Sequence, residues 1–215
     1  MLAGDVAVNP GPAAAARSAV PTSDQLTTRC KIGILNCRSA ANKTALIHDL
    51  ISDRQLDALF LSETWFNADT PSAILDDVAP PCYAALHVPR PRAADGPSRG
   101  GGLAVVYRQS TVMRRHPLAD KYRPKTFEMQ LVCVGLPPLT HAVIHIYRPP
   151  WMSSVLEFID DLTDIIASLC AECGDNIVLC GDLNCPGADS SHLDAGLEEA
   201  LDALDLTVRQ LAYSR

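Results

Sequence analysis

The sequence predicts a mixed α/β domain, because short apolar strands and amphipathic helices alternate along most of the chain. Of the 215 residues, 47% are hydrophobic, which is enough for one sizeable core. The alternation begins at Cys30, and no internal repeat interrupts it. We therefore predict one domain over residues 30–215. It follows a leader, residues 1–29, whose Ala-, Pro-, Ser- and Thr-rich composition predicts disorder.

Six segments have the length and apolar content of β-strands. They are Lys31–Asn36, Leu56–Ser62, Gly101–Arg108, Phe127–Gly135, His141–Tyr147 and Asn176–Asp182. The fourth and fifth are predicted to form a hairpin across a Pro-Pro-Leu-Thr turn. The Pro-rich stretch between Pro71 and Pro97 is predicted to be a loop.

Three segments have the apolar spacing of amphipathic helices, and the first of them begins at Asn42. Their apolar faces are Leu46, Ile47, Leu50 and Ile51; Val155, Leu156, Ile159, Leu162, Ile166 and Leu169; and Leu193, Leu197, Leu201 and Leu204. Ser154 and Glu157 have the spacing of a capping box, which predicts the start of the second helix.

The charge pattern limits the classes of function. A net charge of −7 argues against a general nucleic-acid binder, because phosphate contacts come from Lys and Arg. Positive residues are nevertheless concentrated between Arg90 and Lys125, which is compatible with a basic groove. No apolar stretch has the length of a membrane span, and the N-terminus lacks the pattern of a secretory signal. We expect an intracellular protein, in the nucleus or cytoplasm, with no membrane partner.

The eight cysteines are predicted to be reduced thiols in the interior, where Cys behaves as a small hydrophobe. Cys170, Cys173, Cys180 and Cys185 also allow a zinc site. However, Cys180 lies inside a predicted strand, and the paired knuckles of a structural zinc site are missing. Buried thiols are therefore the favoured interpretation.

Polar residues follow four of the predicted strands at the point where each strand ends. They are Asn36, Glu63, Tyr147, and Asp182 with Asn184. Each has an ordinary alternative: Asn36 is typical of a turn, Glu63 of a helix cap, and Tyr147 of packing at a rim. Asp182 and Asn184 are two residues apart, so strand alternation predicts that both side chains emerge at one rim.

Taken together, these residue types suit the binding of a metal ion and a phosphate. Two carboxylates with nearby amide oxygens suit Mg²⁺, which takes one or two protein carboxylates and fills its other positions with water and phosphate. A tyrosine hydroxyl can donate to a phosphate, and an asparagine can orient a nucleophilic water. The set is compatible with metal-dependent hydrolysis of a phosphodiester.

Five motifs occur in the order and approximate spacing of a known superfamily. They are ILNCRS (Ile34–Ser39), LFLSETW (Leu59–Trp65), RGGGLAVVYR (Arg99–Arg108), IYRPP (Ile146–Pro150) and VLCGDLN (Val178–Asn184). The chain resembles the endonuclease/exonuclease/phosphatase superfamily, and specifically the apurinic-type endonuclease domain of non-LTR (LINE-like) retrotransposons. The resemblance implies a four-layer α/β sandwich, in which helices flank two packed, mainly antiparallel sheets.

The resemblance also implies roles for the strand-end residues. Glu63 is the implied Mg²⁺ ligand, with Mn²⁺ as a possible substitute, and Asn36 stands near the metal and the scissile phosphate. Tyr147 is implied to contact the phosphate. Asp182 activates or positions the attacking water, and Asn184 orients the site.

The implied partner is DNA. Arg38 and Arg148 lie beside the site positions and are implied to touch DNA phosphates, although an ordinary surface salt bridge is equally compatible with each. In its complete form such a domain nicks target DNA and leaves a 3′-hydroxyl for a reverse transcriptase encoded downstream.

One motif of the superfamily has no match. The pattern ends in Ser-Asp-His, and nothing after Asn184 resembles it, so we expect an incomplete sandwich that lacks its last strands. We expect weak or absent activity from this chain alone, because an acid–base group is worth ~10² to 10⁴ in rate. His145 shares a strand face with Tyr147 but is more typical of a hydrogen-bonded sheet histidine. His192 is typical of an exposed first helical turn.

Two other functions stay open at this point. One is a catalytically inactive relic or DNA-binding fragment, which the unmatched motif and the net charge of −7 favour. The other keeps the superfamily but changes the substrate to a phosphoinositide or sphingolipid head group. The RGGG and YRPP segments fit the retrotransposon branch better than those phosphatases.

The leader contains GDVAVNPGP (Gly4–Pro12), which resembles the 2A-type ribosome-skipping peptide found in some retrotransposon reading frames. The matching residues are Asp5, Val6, Asn9, Pro10, Gly11 and Pro12. Ala7 stands where the family has Glu, and the activity normally requires a longer segment upstream of Gly4. We expect the stretch to mark ancestry, and a simple Pro-Gly turn to be its structure.

Overall fold

The computed structural model describes residues 30–90, 100–135, 140–174, 176–187 and 193–207. These residues contain eight strands and four α-helices. In chain order they are β1 (Ile32–Asn36), α1 (Thr44–Arg54), β2 (Ala58–Ser62), α2 (Ser72–Asp77), β3 (Tyr83–Val88), β4 (Leu103–Arg108), β5 (Met113–Arg115), β6 (Glu128–Val134), β7 (His141–Tyr147), α3 (Val155–Cys173), β8 (Ile177–Asp182) and α4 (Ala195–Asp202). The predicted leader, with its 2A-like stretch, lies outside these residues.

The strands form two four-stranded sheets, in the orders β1-β2-β4-β3 and β5-β6-β7-β8. Each sheet contains one parallel pair, β1 with β2 and β7 with β8. The other pairs are antiparallel, including the predicted hairpin of β6 and β7. Because strands of a parallel pair end at the same edge, β1 and β2 finish together, as do β7 and β8.

Strand alternation builds three apolar layers around these sheets. In β2, Leu59 and Leu61 pack against α1, whereas Ala58 and Phe60 face the second sheet. In β7, Ile144 faces α3 and its neighbours face the first sheet. The layers therefore run α1, sheet, sheet, α3 with α4, and the predicted α/β sandwich is confirmed.

The long helix α3 begins as predicted. The Ser154 hydroxyl accepts from the Glu157 N–H at 3.2 Å, and the Glu157 carboxylate accepts from the Ser154 N–H at 3.0 Å, which completes the capping box. Its buried face was predicted in part. Leu156 was placed on that face but is 74% exposed, because the helix turns Phe158 and Ile165 toward the sheet instead.

Other expectations about the elements need correction. The stretch predicted as a Pro-rich loop from Pro71 contains α2 and then β3, whose register with β4 pairs His87 with Ala104. On α1, Ile47 and Ile51 are buried as predicted, but Leu46 is 55% exposed. The strand β5 was not predicted, since three residues are too few to show a period.

The cysteines are all free thiols. Cys37, Cys133 and Cys185 are buried as predicted, whereas Cys82 and Cys173 are exposed, which the prediction had wrong. Burial raises the pKa of the Cys37 and Cys180 thiols to about 12, so both stay protonated at neutral pH. Among the described residues, none of the helices combines the length and apolar composition that crossing a membrane requires.

Candidate active site

Four predicted site residues meet where the two parallel pairs end. Asn36 continues the row of β1 side chains that faces the second sheet, after Ile32 and Ile34. Tyr147 continues the corresponding row of β7, after Val143 and His145. Because both rows point into the space between the sheets, their last residues emerge at its rim.

Hydrogen bonds join these residues across the two sheets. The Asn36 amide Nδ2 donates to Glu63 Oε1 and to Asp182 Oδ2, each at 2.8 Å. The Tyr147 hydroxyl donates to the same Glu63 Oε1 at 2.9 Å. We call Asn36, Glu63, Tyr147 and Asp182 the rim cluster. The Asn36 amide thus links the carboxylates of Glu63 and Asp182, which are far apart in the sequence.

The Tyr147 hydroxyl is a neutral donor. Its side chain is 2% exposed. Burial, together with the hydrogen bond to the negative Glu63, raises the pKa of Tyr147 well above its usual value. The positive charge of Arg90 opposes this shift only partly. The phenol therefore keeps its proton at neutral pH and can donate it in a hydrogen bond.

The rim cluster fits a hard divalent cation. The two acceptors of the Asn36 amide fix its orientation, which leaves Asn36 Oδ1 buried and without a hydrogen-bond partner. This unpartnered oxygen and the two neighbouring carboxylates together form a set of oxygen ligands that suits Mg²⁺. Within the described ranges, no three His, Cys, Asp or Glu side chains cluster as in a closed cage. One or two carboxylates plus water and phosphate is the usual arrangement for Mg²⁺.

The backbone around the rim cluster is strained. Glu63, Trp65, Arg38 and Asn184 all have positive φ, at +54°, +61°, +43° and +43°. Non-glycine residues adopt this region at a cost, and such strain concentrates at functional sites. The Ser39 N–H donates to the Glu63 carbonyl at 2.8 Å, and the Trp65 N–H donates to the Gly101 carbonyl at 2.8 Å. These bonds hold Glu63 in place from both sides.

An ion pair that sequence reasoning missed supports the rim. Arg90 Nε lies 2.5 Å from Glu128 Oε1, with side-chain exposures of 15% and 6%. Glu128 Oε2 also accepts from the Gly102 N–H at 2.6 Å. The register of β6 and β7 places Glu128 directly opposite Tyr147. The signal was an acidic residue at the start of an otherwise apolar strand.

Steric crowding explains the glycines at two positions of the sequence motifs, Gly101 and Gly181. At Gly101, with φ +67°, an added Cβ would lie 2.1 Å from Arg90 Nε and 2.2 Å from Glu128 Oε1. At Gly181, with φ +133°, an added Cβ would lie 1.9 Å from the Ile146 carbonyl oxygen. The first glycine makes room for the ion pair. The second lets β8 approach β7 immediately before Asp182.

Asn184 and Arg148 occupy a neighbouring position. The Asn184 N–H donates to Asp182 Oδ1 at 3.3 Å, whereas its side-chain amide donates to the Arg148 carbonyl at 2.8 Å. The Arg148 guanidinium is buried, donates to the carbonyls of Asn184 and Ser153, and lies over the Phe158 ring. Asn184 therefore reaches the rim cluster through its backbone, and Arg148 ties together the loops behind it. Arg38 is exposed at the end of β1.

His145 lies one step beneath the rim cluster. It is fully buried, with Nε2 3.4 Å from Ser62 Oγ and Nδ1 3.3 Å from Gln130 Oε1. Burial lowers its pKa to about 3, so the ring is neutral. The interpretation as a hydrogen-bonded sheet histidine is confirmed. We call Ser62, Gln130 and His145 the buried cluster. His192 lies outside the described residues.

Comparisons with known proteins agree with this architecture. The profile of the Endonuclease/Exonuclease/phosphatase family matches residues 34–206. No curated protein sequence shows significant similarity to the chain. The endonuclease domain of TRAS1, a telomere-specific non-LTR retrotransposon, is similar in structure, with a TM-score of 0.54 and 13% sequence identity over 82% of this chain and 71% of that one.

Two further solved structures share the fold. The 3′ phosphatase NExo from Neisseria, bound to a product DNA hairpin, has a TM-score of 0.53 and 18% identity over 82% of this chain and 70% of that one. The AP endonuclease LMAP from Leishmania major has a TM-score of 0.54 and 13% identity, covering 80% and 65%. Identities this low show a common fold and no more. Since the family profile spans most of the sequence, the chain belongs to the endonuclease/exonuclease/phosphatase family.

Proposed function

We propose that this protein is a divalent-metal-dependent phosphodiesterase that cuts DNA, of the type found as the endonuclease domain of non-LTR retrotransposons. The observation that carries the proposal is the Asn36 amide, which joins Glu63 and Asp182 at the rim and leaves its own Oδ1 buried without a partner. Such a set of oxygen donors favours Mg²⁺, with Mn²⁺ as the alternative.

Each member of the rim cluster has a proposed role. Glu63 and the Asn36 Oδ1 hold the cation. When bound, Mg²⁺ polarises a phosphoryl oxygen and stabilises the charge on the leaving alkoxide. The Tyr147 hydroxyl, which is neutral and points at Glu63, donates to a phosphate oxygen when DNA is present. Asp182 accepts the proton of the attacking water, and the hydrogen bonds from Asn36 and from the Asn184 N–H orient its carboxylate.

DNA as the substrate rests on several likenesses. The five sequence motifs resemble the retrotransposon branch of the family. TRAS1 is a retrotransposon endonuclease domain, and NExo was solved with a DNA hairpin. We extend this to a role in the nucleus or cytoplasm in which the nick supplies a 3′-hydroxyl to a reverse transcriptase of the same element.

We propose that the reaction of this chain is slow. Among the described residues, no histidine donates to or accepts from the four rim side chains, and His145 is held in the buried cluster. A positioned imidazole contributes ~10² to 10⁴ in rate where it is present. The rate therefore depends on the cation, Tyr147 and Asp182.

Nicking of supercoiled plasmid tests the proposal. The wild type, Glu63→Gln and the exposed control Glu199→Gln are compared in Mg²⁺, in Mn²⁺ and in EDTA. We expect slow nicking by the wild type and by Glu199→Gln that requires the metal. We expect none above background from Glu63→Gln, which loses a metal ligand and keeps the shape of the side chain. A folded wild type that nicks in neither metal would refute the proposal and favour an inactive DNA-binding fragment.

A further inference from the structure

A groove of about 1250 Å³ opens next to the rim cluster. Its lining includes both tryptophans of the chain and four basic side chains: Trp65, Trp151, Arg90, Arg115, Arg123 and Lys125. We call it the side groove. Trp65 is two residues after Glu63, and Arg90 pairs with the Glu128 that lies opposite Tyr147. The side groove therefore lies beside the site of the proposed reaction.

The aromatic residues of the side groove are unusual in their exposure. The chain has two tryptophans, and both line this groove, with exposures of 40% for Trp65 and 64% for Trp151. Tryptophan is highly buried on average, so two exposed rings in one groove mark a binding surface. Such rings offer a flat apolar face to a ligand.

The backbone is constrained at both Trp65 and Trp151. Trp65 is held at φ +61° by the hydrogen bond from its N–H to the Gly101 carbonyl at 2.8 Å. A bulky residue in this region is a costly conformation that the surrounding bonds maintain. Trp151 follows Pro149 and Pro150, and the Met152 N–H closes a turn onto the Pro149 carbonyl at 3.1 Å. Little backbone freedom is left to lose when a ligand binds.

The basic residues supply the charge that phosphates need. Arg115 and Arg123 both contact Asp120, at 2.7 Å and 3.3 Å, but their side chains are 59% and 68% exposed. Exposed ion pairs of this kind are weak, so a phosphate can compete for the guanidinium groups. Arg90 is more buried and anchored by Glu128. Positive charge interleaved with exposed aromatic rings is the pattern that binds unpaired nucleic-acid strands.

We infer that the side groove binds an unpaired DNA segment beside the scissile phosphate, with bases stacked on Trp65 and Trp151. The inference rests on the proposed function for the identity of the polymer and names the class of substrate more closely. In a duplex the faces of the bases are already stacked on one another and are closed to the tryptophans. The preferred substrates are therefore sites with unpaired, displaced or flipped-out bases.

Intrinsic fluorescence provides a direct test, because both tryptophans of the chain lie in the side groove. The full chain is titrated in EDTA with a single-stranded oligothymidine of about eight nucleotides, a length within the range that one such groove accommodates. An abasic oligonucleotide of the same length and a blunt hairpin duplex serve as matched controls. We expect saturable quenching by oligothymidine. We expect at least about tenfold weaker binding of both controls, as loss of stacking predicts.

Substitutions assign the effect to the rings. Trp151→Ala and Trp65→Ala should each weaken oligothymidine binding about 5- to 150-fold, whereas Trp151→Phe should retain most of the affinity. The exposure of Trp151 makes its replacement structurally harmless. Equal affinity for the abasic and the normal oligonucleotide would overturn the inference. So would unchanged affinity, measured by anisotropy of a labelled oligonucleotide, in both alanine variants.

The two proposals fail in distinguishable ways. Binding is measured without metal and without turnover, so it does not depend on phosphodiester cleavage. Stacking on the tryptophans without any nicking would leave this inference standing and refute the proposed function. Metal-dependent nicking with no preference for unpaired bases would do the opposite.

Discussion

The rim cluster and the buried cluster meet at the ends of two strands, β2 and β7, yet their chemistry differs. Glu63 follows Ser62, and Tyr147 follows His145 by two residues on one strand face. The rim cluster contains two carboxylates and a buried amide oxygen without a partner. The buried cluster contains a hydroxyl, an amide and a neutral imidazole that satisfy one another.

The difference shows that depth in the sandwich determines the role of a polar group: buried groups fix the packing of the sheets, and groups at the rim carry charge. Deep between the sheets, a charge would be costly, whereas neutral polar groups that are hydrogen-bonded are tolerated. Ser62 bonds to His145 across the sheets, and the Gln130 amide reaches the Leu86 carbonyl of the other sheet at 2.9 Å. These bonds fix how one sheet lies on the other. At the rim, solvent access makes negative charge less costly. The fixed packing of the sheets brings the carboxylates of Glu63 and Asp182 together there.

If this comparison is correct, the largest effect comes from removing a rim carboxylate that does chemistry. Asp182→Asn should lower the nicking rate by ~10² to 10⁴, because the base that accepts the proton of water is lost. Its free energy of unfolding in urea should change little, since the Asn36 amide keeps its bond to Glu63. The exposed control Asp53→Asn should retain the wild-type rate. A retained rate in Asp182→Asn would remove Asp182 from the mechanism.

The next largest effect concerns the ion pair between the two sheets. Arg90→Met should lower the free energy of unfolding by ~3–5 kcal/mol, because it leaves the buried Glu128 without its cation. The double variant Arg90→Met/Glu128→Met should be less destabilised than the sum of the single variants. Urea unfolding of the four proteins measures the coupling. Additive losses would mean that the pair does not act as a unit.

A smaller effect is expected in the buried cluster. His145→Leu removes both hydrogen bonds of the ring and leaves Ser62 and Gln130 unsatisfied, which should cost ~1–3 kcal/mol. Nicking at a temperature where the variant is folded should stay close to the wild-type rate. His141→Gln, at the exposed start of the same strand, is the matched control. A large loss of rate in a folded His145→Leu would give the imidazole a part in the reaction.

The smallest effect is a pH dependence of stability near neutral pH, where the expected loss between pH 7 and pH 6 is about 1 kcal/mol or less. Burial lowers the pKa of His145 from 6.5 to about 3, so the unfolded chain binds this proton first as pH falls. Its contribution to the free energy of unfolding is fully present above about pH 6.5 and is lost as pH falls through about 3. Urea unfolding at several pH values between about 7 and 6 should therefore show a steeper decline in wild type and in His141→Gln than in His145→Leu. Equal slopes in all three proteins would contradict the assignment.

The central strands and the residues that end them could be predicted because each is a local pattern. An apolar run that stops at Asn36 or Asp182 is visible in the sequence, and parallel pairing then brings such ends together. The edge strand β3 was missed because YAALHV has a weak period and owes its conformation to pairing with β4. The pair of Arg90 and Glu128 joins residues from different sheets, and no local pattern encodes that contact. Likewise, the left-handed conformation that turns the Asn184 side chain toward Arg148 depends on the fold around it.

The proposed role of the rim cluster depends most on the binding of a divalent cation by Glu63. The melting temperatures of wild type, Glu63→Gln and His145→Leu, each with EDTA or with saturating Mg²⁺, test this most directly. A ligand that binds the folded state alone raises the melting temperature, by ~2–4 °C for each kcal/mol in a chain of this size. We predict a rise for the wild type and for His145→Leu, which starts lower, and no rise for Glu63→Gln. An equal rise in all three proteins, or none in the wild type, would contradict cation binding by Glu63.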